Sequence, residues 1–171
     1  KPINPYAQTK LEGEYLAKKY SDMGLNVIGL RYFNVFGHRQ SKEYAGVIKL
    51  FLEKIQQKIP PKINGDGLQT RDFVHIDDVV GANVLAMDSS VKHEFFNVGT
   101  GNSISVLDLA NVVINASGLS LKPIHGPELS GDVRATQADI ILIRKLLNWE
   151  PKIVLDNWLT GIISKKDFDY L

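Results

Sequence analysis

The sequence predicts an α/β fold, on three observations. Short apolar runs rich in β-branched and aromatic residues alternate with longer segments of helical periodicity. The joins between them carry Gly, Pro, Asn and Asp, the residues of turns and caps. Hydrophobic residues make up 44% and charged residues 23% of the 171 positions, which is enough apolar surface to build a core.

Each element has its own warrant. Asn4 caps a first helix that has Pro5 at its opening position, runs towards Met23 and stops at Gly24. Asn26 to Arg31 reads as a buried strand, and Tyr32-Phe33-Asn34-Val35-Phe36-Gly37 continues it into a turn. Gly46 to Gln57 is a helix with Val47, Leu50, Phe51 and Ile55 on its apolar face, ended by Pro60-Pro61. Lys62 to Gly67 is a brief strand and a tight turn. Arg71 to His75 is another strand, after which Asp77 caps a helix over 78–88. Glu94 to Val98 is a strand closing at Gly99-Thr100-Gly101. Ser105 caps a helix that reaches about Ala116 and ends at Gly118. Leu121 to Ile124 is extended, Asp139 caps a helix over 140–147, and a last helix runs from about Leu155 to the end.

Composition narrows the function classes. A net charge of +1 gives no field that points to nucleic acid or a membrane surface. The absence of cysteine excludes disulfides and thiolate metal sites, which fits a reducing cytoplasm. His38, His75, His93 and His125 lack metal-ligand spacing, so no metal site is expected. No apolar run approaches the ~20 residues that span a bilayer. Lys1-Pro2-Ile3-Asn4 reads as the interior of a longer protein rather than a natural start.

The chemistry is concentrated near the beginning. Tyr6 and Lys10 are four residues apart, which puts phenol and ammonium on one helix face. A free phenol is a poor base at neutral pH, and an ammonium held nearby favours its phenolate. Tyr15 and Lys19 repeat the spacing, but they lie about half a turn away and cannot serve the same site. A usual dinucleotide turn is absent. Gly65-Asp66-Gly67 and Gly99-Thr100-Gly101 lack the third glycine and the acidic partner, and both read as plain turns.

Five stretches occur in an order and spacing that resembles the extended short-chain dehydrogenase/reductases acting on nucleotide-sugars, above all the 4-epimerases. They are Tyr6-x-x-x-Lys10, Leu30 to Gly37, Asn64 to Phe73, Asn97 to Gly101, and Gly131-Asp132-Val133-Arg134. The resemblance covers nearly the whole chain and implies a C-terminal fragment. It would carry a partial Rossmann-like parallel sheet (about 1–36 and 73–98) and a smaller C-terminal α/β substrate domain (37–72 and 99–171). The Gly-rich NAD turn, the ribose-binding acid and a catalytic serine or threonine would lie outside it, leaving the fragment alone inactive.

The implied activity is NAD-dependent epimerisation at C4 of a UDP-sugar through a 4-keto intermediate. The resemblance makes Tyr6 the proton acceptor, Lys10 the ligand of the nicotinamide ribose, and Tyr32 a neighbour of the nicotinamide. It makes Asn34, Val47, Asn64, Arg71, Asp132 and Thr136 substrate-binding. Arg71 suits phosphate, Asp132 the ribose hydroxyls, and a small Thr136 leaves room for an N-acetyl group at the sugar C2. A second phosphate-binding arginine common in the family is replaced here by Leu129, and Arg134 or Lys122 is the expected substitute. A nucleotide-sugar partner, a cytoplasmic homodimer, and no nucleic-acid or membrane partner complete the expectation. Rival readings are a 4,6-dehydratase, decarboxylase or reductase of the same family, or a non-catalytic nucleotide-sugar-binding protein.

Overall fold

In the computed structural model, residues 4–40 and 46–166 are described. Asn4 accepts from the Ala7 N–H at 2.8 Å and opens helix α1 (Pro5–Asp22). Its inner stripe is Ala7, Leu11, Glu14, Ala17 and Ser21, half-buried at helical spacing. Arg31 reaches back from strand β1 (Val27–Tyr32) and donates twice to Glu14, at 2.6 Å each. That pair draws the Glu14 carboxyl below its usual pKa.

The extended run from β1 changes partner as it proceeds. β1 pairs in parallel with β6 (His93–Val98), and β2 (Asn34–Phe36) pairs in parallel with β5 (Phe73–His75). At the junction Phe33 N–H still donates to Val98 O at 3.0 Å, while Asn34 N–H already donates to Asp72 O at 3.0 Å. Two smaller pairs stand beside them: β3 (Lys62–Asn64) with β8 (Ile124–Gly126), parallel, and β4 (Thr70–Arg71) with β7 (Ile104–Ser105), antiparallel.

Two cores form. Helices α2 (Val47–Gln56), α4 (Val106–Ser117) and α6 (Leu155–Lys165) pack Phe51, Leu52, Leu109, Val113 and Leu159 around Phe36, Ile63 and Phe73. Helices α3 (Ile76–Asp88) and α5 (Ile141–Leu147) pack Val79, Ala82, Ile143 and Leu147 against Val74, Phe96 and Val98. Ala138, Ile140, Ile143, Leu147 and Trp149 belong to this second core, although sequence position puts them in the substrate part. Trp149 is anchored there by its indole N–H, which donates to Asp78 O at 3.0 Å. The Asp78 carboxylate accepts the N–H groups of Lys152 and Ile153 at 3.0 and 3.1 Å, tying down the chain after α5.

Several expectations are corrected. β1 is half-buried rather than buried, because among the described residues only its β6 edge is paired. The apolar face of α2 is Ile48, Phe51, Leu52 and Ile55, with Leu50 48% exposed. Val47, Phe51 and Ile55 of the predicted face do pack against the first core, and Ile48 and Leu52 are buried where Leu50 is not. His75 caps α3 in place of Asp77: its Nδ1 accepts the Asp77 N–H at 3.2 Å. Asp72 splits the strand predicted over 71–75 into β4 and β5. The extended segment predicted at 121–124 forms strand only over Ile124–Gly126. The last five positions of the predicted final helix lie outside the described residues.

Candidate functional site

A cavity of about 470 Å³ opens between α2, β3, β4 and the 129–132 turn. It brings together Asn34, Val47, Asn64, Arg71 and Asp132, five of the six residues expected around a nucleotide-sugar. Local geometry explains each placement. Gly46 caps α2 and turns Val47 inward. Asn34 leads β2, and its side-chain amide donates to Asp72 O at 2.9 Å. Asn64 ends β3, just before the turn at Gly65 and Gly67, both of which hold positive φ.

Arg71 is the cationic centre. Its side chain is only 13% exposed. One guanidinium nitrogen donates to Thr70 O at 2.8 Å, and the other is paired with the Asp132 carboxylate. The chemistry of this wall is that of an anion and hydroxyl receptor: a planar guanidinium, one ammonium, one carboxylate and four carboxamides beside the apolar side chains of Phe36, Phe51 and Phe73.

Thr136 is not brought to this cavity. Its N–H donates to Thr70 O at 3.1 Å, and its hydroxyl is buried without a hydrogen-bond partner among the described residues. Leu129 does line the cavity. Arg134, one of the two expected substitutes for it, is spent on a bidentate pair with Asp66 at 2.9 and 3.0 Å. That pair pulls the Asp66 carboxyl below its usual pKa. Lys122 does not line the cavity either, whereas Lys62 does. The sequence signal for Lys62 was its position two residues before Asn64, which puts both on one strand face.

Tyr6, Lys10 and Tyr32 lie apart from this cavity. Tyr6 is 71% exposed on α1, with the Lys10 ammonium over its ring at 5.1 Å from the centroid. The Tyr32 hydroxyl donates to Asn83 Oδ1 on α3 at 2.9 Å. A phenol hydroxyl and an ammonium free of core contacts suit the two hydroxyls of a nicotinamide ribose, so the residues present fit that end of NAD. They do not supply a pyrophosphate cradle. In the Gly99-Thr100-Gly101 turn the N–H groups of Thr100 and Gly101 are already donated to Asp72, at 2.8 and 2.9 Å.

Asp72 is a residue whose role sequence reading missed. It is fully buried and also accepts the Thr100 hydroxyl at 2.6 Å and the Ala138 N–H at 3.0 Å. Asp72 does not pair with the adjacent Arg71, which pairs with Asp132 instead. No group of three or more His, Cys, Asp or Glu residues is placed to hold a metal among the described residues. No described helix is long and apolar enough to cross a membrane.

The family model described as the NAD dependent epimerase/dehydratase family matches residues 1–99. The chain is 36% identical over 165 residues to a putative UDP-glucose 4-epimerase of Methanocaldococcus jannaschii, covering 95% of this chain and 53% of that protein. It is 37% identical over 164 residues to a UDP-N-acetyl-alpha-D-glucosaminuronate decarboxylase of Bacillus cytotoxicus, covering 92% and 50% respectively. Among solved structures it superposes on UDP-glucose 4-epimerase with UDP-glucose from Thermotoga maritima with a TM-score of 0.89. There the identity is 37%, over 99% of this chain and 56% of that one. The chain thus spans about half the length of the curated relatives it matches.

Proposed function

Because this chain belongs to the NAD dependent epimerase/dehydratase family, we propose that the full-length protein inverts C4 of a UDP-sugar. The observation that carries this reading is the cavity that gathers Asn34, Val47, Asn64 and Asp132 around the half-buried guanidinium of Arg71. Arg71 binds the diphosphate, and Asp132, released from Arg71 in the complex, accepts from the ribose hydroxyls. Asn64 and Val47 enclose the base, and Asn34 orients the sugar. Tyr6 takes the proton of the C4 hydroxyl as that carbon becomes a ketone, and returns it when the opposite configuration forms. Lys10 and Tyr32 position the nicotinamide end of the cofactor. Bound NAD supplies reversible hydride acceptance at C4, so it is regenerated within each turnover. The substrate class extends to N-acetylated hexosamines; this part rests on the family resemblance, which puts the small Thr136 at the sugar C2, and not on the cavity, which Thr136 does not line. Turnover of UDP-glucose with complete inactivity on UDP-N-acetylglucosamine would refute it.

A second reading, decarboxylation of a UDP-uronic acid, is favoured by the Bacillus cytotoxicus relative, which is as similar in identity as the epimerases. Assay of the full-length protein against UDP-glucose and UDP-glucuronate separates the two by product: a C4 epimer of unchanged mass, or a UDP-pentose and carbon dioxide. Tyr6→Phe then tests the mechanism. Turnover should fall by about 10²–10⁴-fold while UDP binding is retained. Unchanged turnover would remove Tyr6 as the base.

A further inference from the structure

Lys62 and Asn64 stand two apart on β3, with the fully buried Ile63 between them, so both side chains rise on the cavity face. Gly126 is the partner of Asn64 across the β3–β8 ladder. A Cβ at Gly126 would lie 2.6 Å from Lys62 Cε, 3.4 Å from its Nζ and 3.7 Å from Asn64 Oδ1. The bare glycine is therefore a saddle. The lysine stem crosses it, and both the ammonium and the Asn64 carboxamide oxygen lie within 4 Å of where a Cβ would stand.

Charge gives this placement a purpose. Among the described residues, Lys62 and Arg71 are the basic side chains that line the cavity. Arg71 is neutralised by Asp132, which lines the same cavity. Lys62 has no carboxylate within ion-pair distance among the described residues. It is the uncompensated positive charge of the site. A diphosphate needs more than the net zero that Arg71 and Asp132 bring, and a lysine ammonium acts on phosphate as a point charge.

We propose that Lys62 is the second cation of this cavity, that it binds the diphosphate of the nucleotide ligand, and that Gly126 is its positioning residue. The proposal rests on the nucleotide-sugar reading and goes beyond it by naming which side chain shares the phosphate charge with Arg71.

Calorimetric titration of the full-length protein with uridine diphosphate and with uridine, at low and high salt, tests it. Lys62→Met should weaken uridine diphosphate about tenfold. It should leave uridine within about twofold and flatten the salt dependence of diphosphate binding. Lys62→Arg should restore most of the loss. Gly126→Ala keeps the ammonium but pushes it off the saddle. It should weaken the diphosphate about threefold and spare uridine. Undiminished diphosphate binding by Lys62→Met, or an equal loss for both ligands, overturns the assignment. A wild-type protein that binds uridine diphosphate no better than buffer overturns the nucleotide reading itself, and this inference with it.

Discussion

Replacing Asp72 with alanine should cost this chain a large part of its stability, although the residue is a carboxylate and not one of the apolar core side chains. The carboxylate is fully buried and accepts three backbone N–H groups, from Thr100, Gly101 and Ala138, at 2.8–3.0 Å. Alanine leaves all three without an acceptor. Each buried orphan donor costs about 1–3 kcal/mol. Thr100 and Gly101 are half-buried, so water relieves part of their loss, and the sum is about 3–6 kcal/mol. Against a typical domain stability of about 5–15 kcal/mol, that is enough to unfold a large fraction of the molecules near physiological temperature.

Urea unfolding followed by circular dichroism, extrapolated to water, measures the loss. Asp72→Asn keeps one acceptor oxygen and should lose roughly half as much. The same wrapping predicts that Gly99 tolerates no side chain. A Cβ there would meet Ala138 Cβ at 2.5 Å and Asp72 Oδ2 at 3.0 Å. Gly99→Ala should cost about 1–3 kcal/mol, and adding Ala138→Gly should recover part of that. A loss below about 1 kcal/mol for Asp72→Ala would refute the reasoning, since an ordinary surface substitution does nearly as much.

Two further predictions concern the cores. Leu52→Ala should cost about 2–5 kcal/mol, because Leu52 is fully buried. Leu50→Ala, on the exposed side of the same helix, should stay within about 0.5 kcal/mol; unfolding of both variants fixes which way α2 faces. His75 is buried against Phe36 and Trp158, and its Nε2 has no hydrogen-bond partner among the described residues. Desolvation pushes its pKa below 6.5, partly opposed by Asp77 and Asp78 and assisted by His38. The unfolded chain then binds the proton more readily, so stability is full above about pH 6.5 and falls as pH drops towards the folded-state value. His75→Phe should flatten that part of the unfolding free energy against pH.

What was legible in the sequence follows from how local the cause is. Caps and stops were readable because they are decided within a few residues: Asn4, Ser105 and Gly118 act where the pattern places them. Gly118 sits in the left-handed conformation that its type predicts. The apolar face of α2 was misread at Leu50, because Leu50 and Leu52 are the same residue type and only the packing of the first core buries Leu52 and leaves Leu50 outside. Asp77 looked like the cap of α3 by residue type. His75 took the role because its ring is held in place by Phe36 and Trp158, both distant in sequence. Five of the cavity residues were legible as motifs, while Lys62 had only its two-residue spacing from Asn64 to mark it, and its placement over Gly126 involves a glycine 64 positions later.

The sharpest case is Arg71-Asp72, two opposite charges side by side in sequence that do not pair. Successive residues in an extended chain point to opposite sides. Here one side is the cavity and the other is the seam where the 99–101 turn meets Ala138. A carboxylate can be buried there because three backbone N–H groups and the Thr100 hydroxyl satisfy it without a cation. That leaves the neighbouring guanidinium unclaimed by Asp72. Its partner is instead Asp132, which is 35% exposed at the cavity wall and can be exchanged for a ligand. Had the Gly-Thr-Gly turn not offered its amides, Asp72 would have competed for Arg71 and closed the cationic centre. Thr100→Val separates the two roles. It removes the 2.6 Å hydroxyl bond to Asp72 and the hydroxyl's two bonds with the Asn102 backbone, while leaving the backbone amides on Asp72 in place, costing about 1–3 kcal/mol of stability. It should leave diphosphate affinity within about twofold if the backbone amides alone keep Asp72 from Arg71.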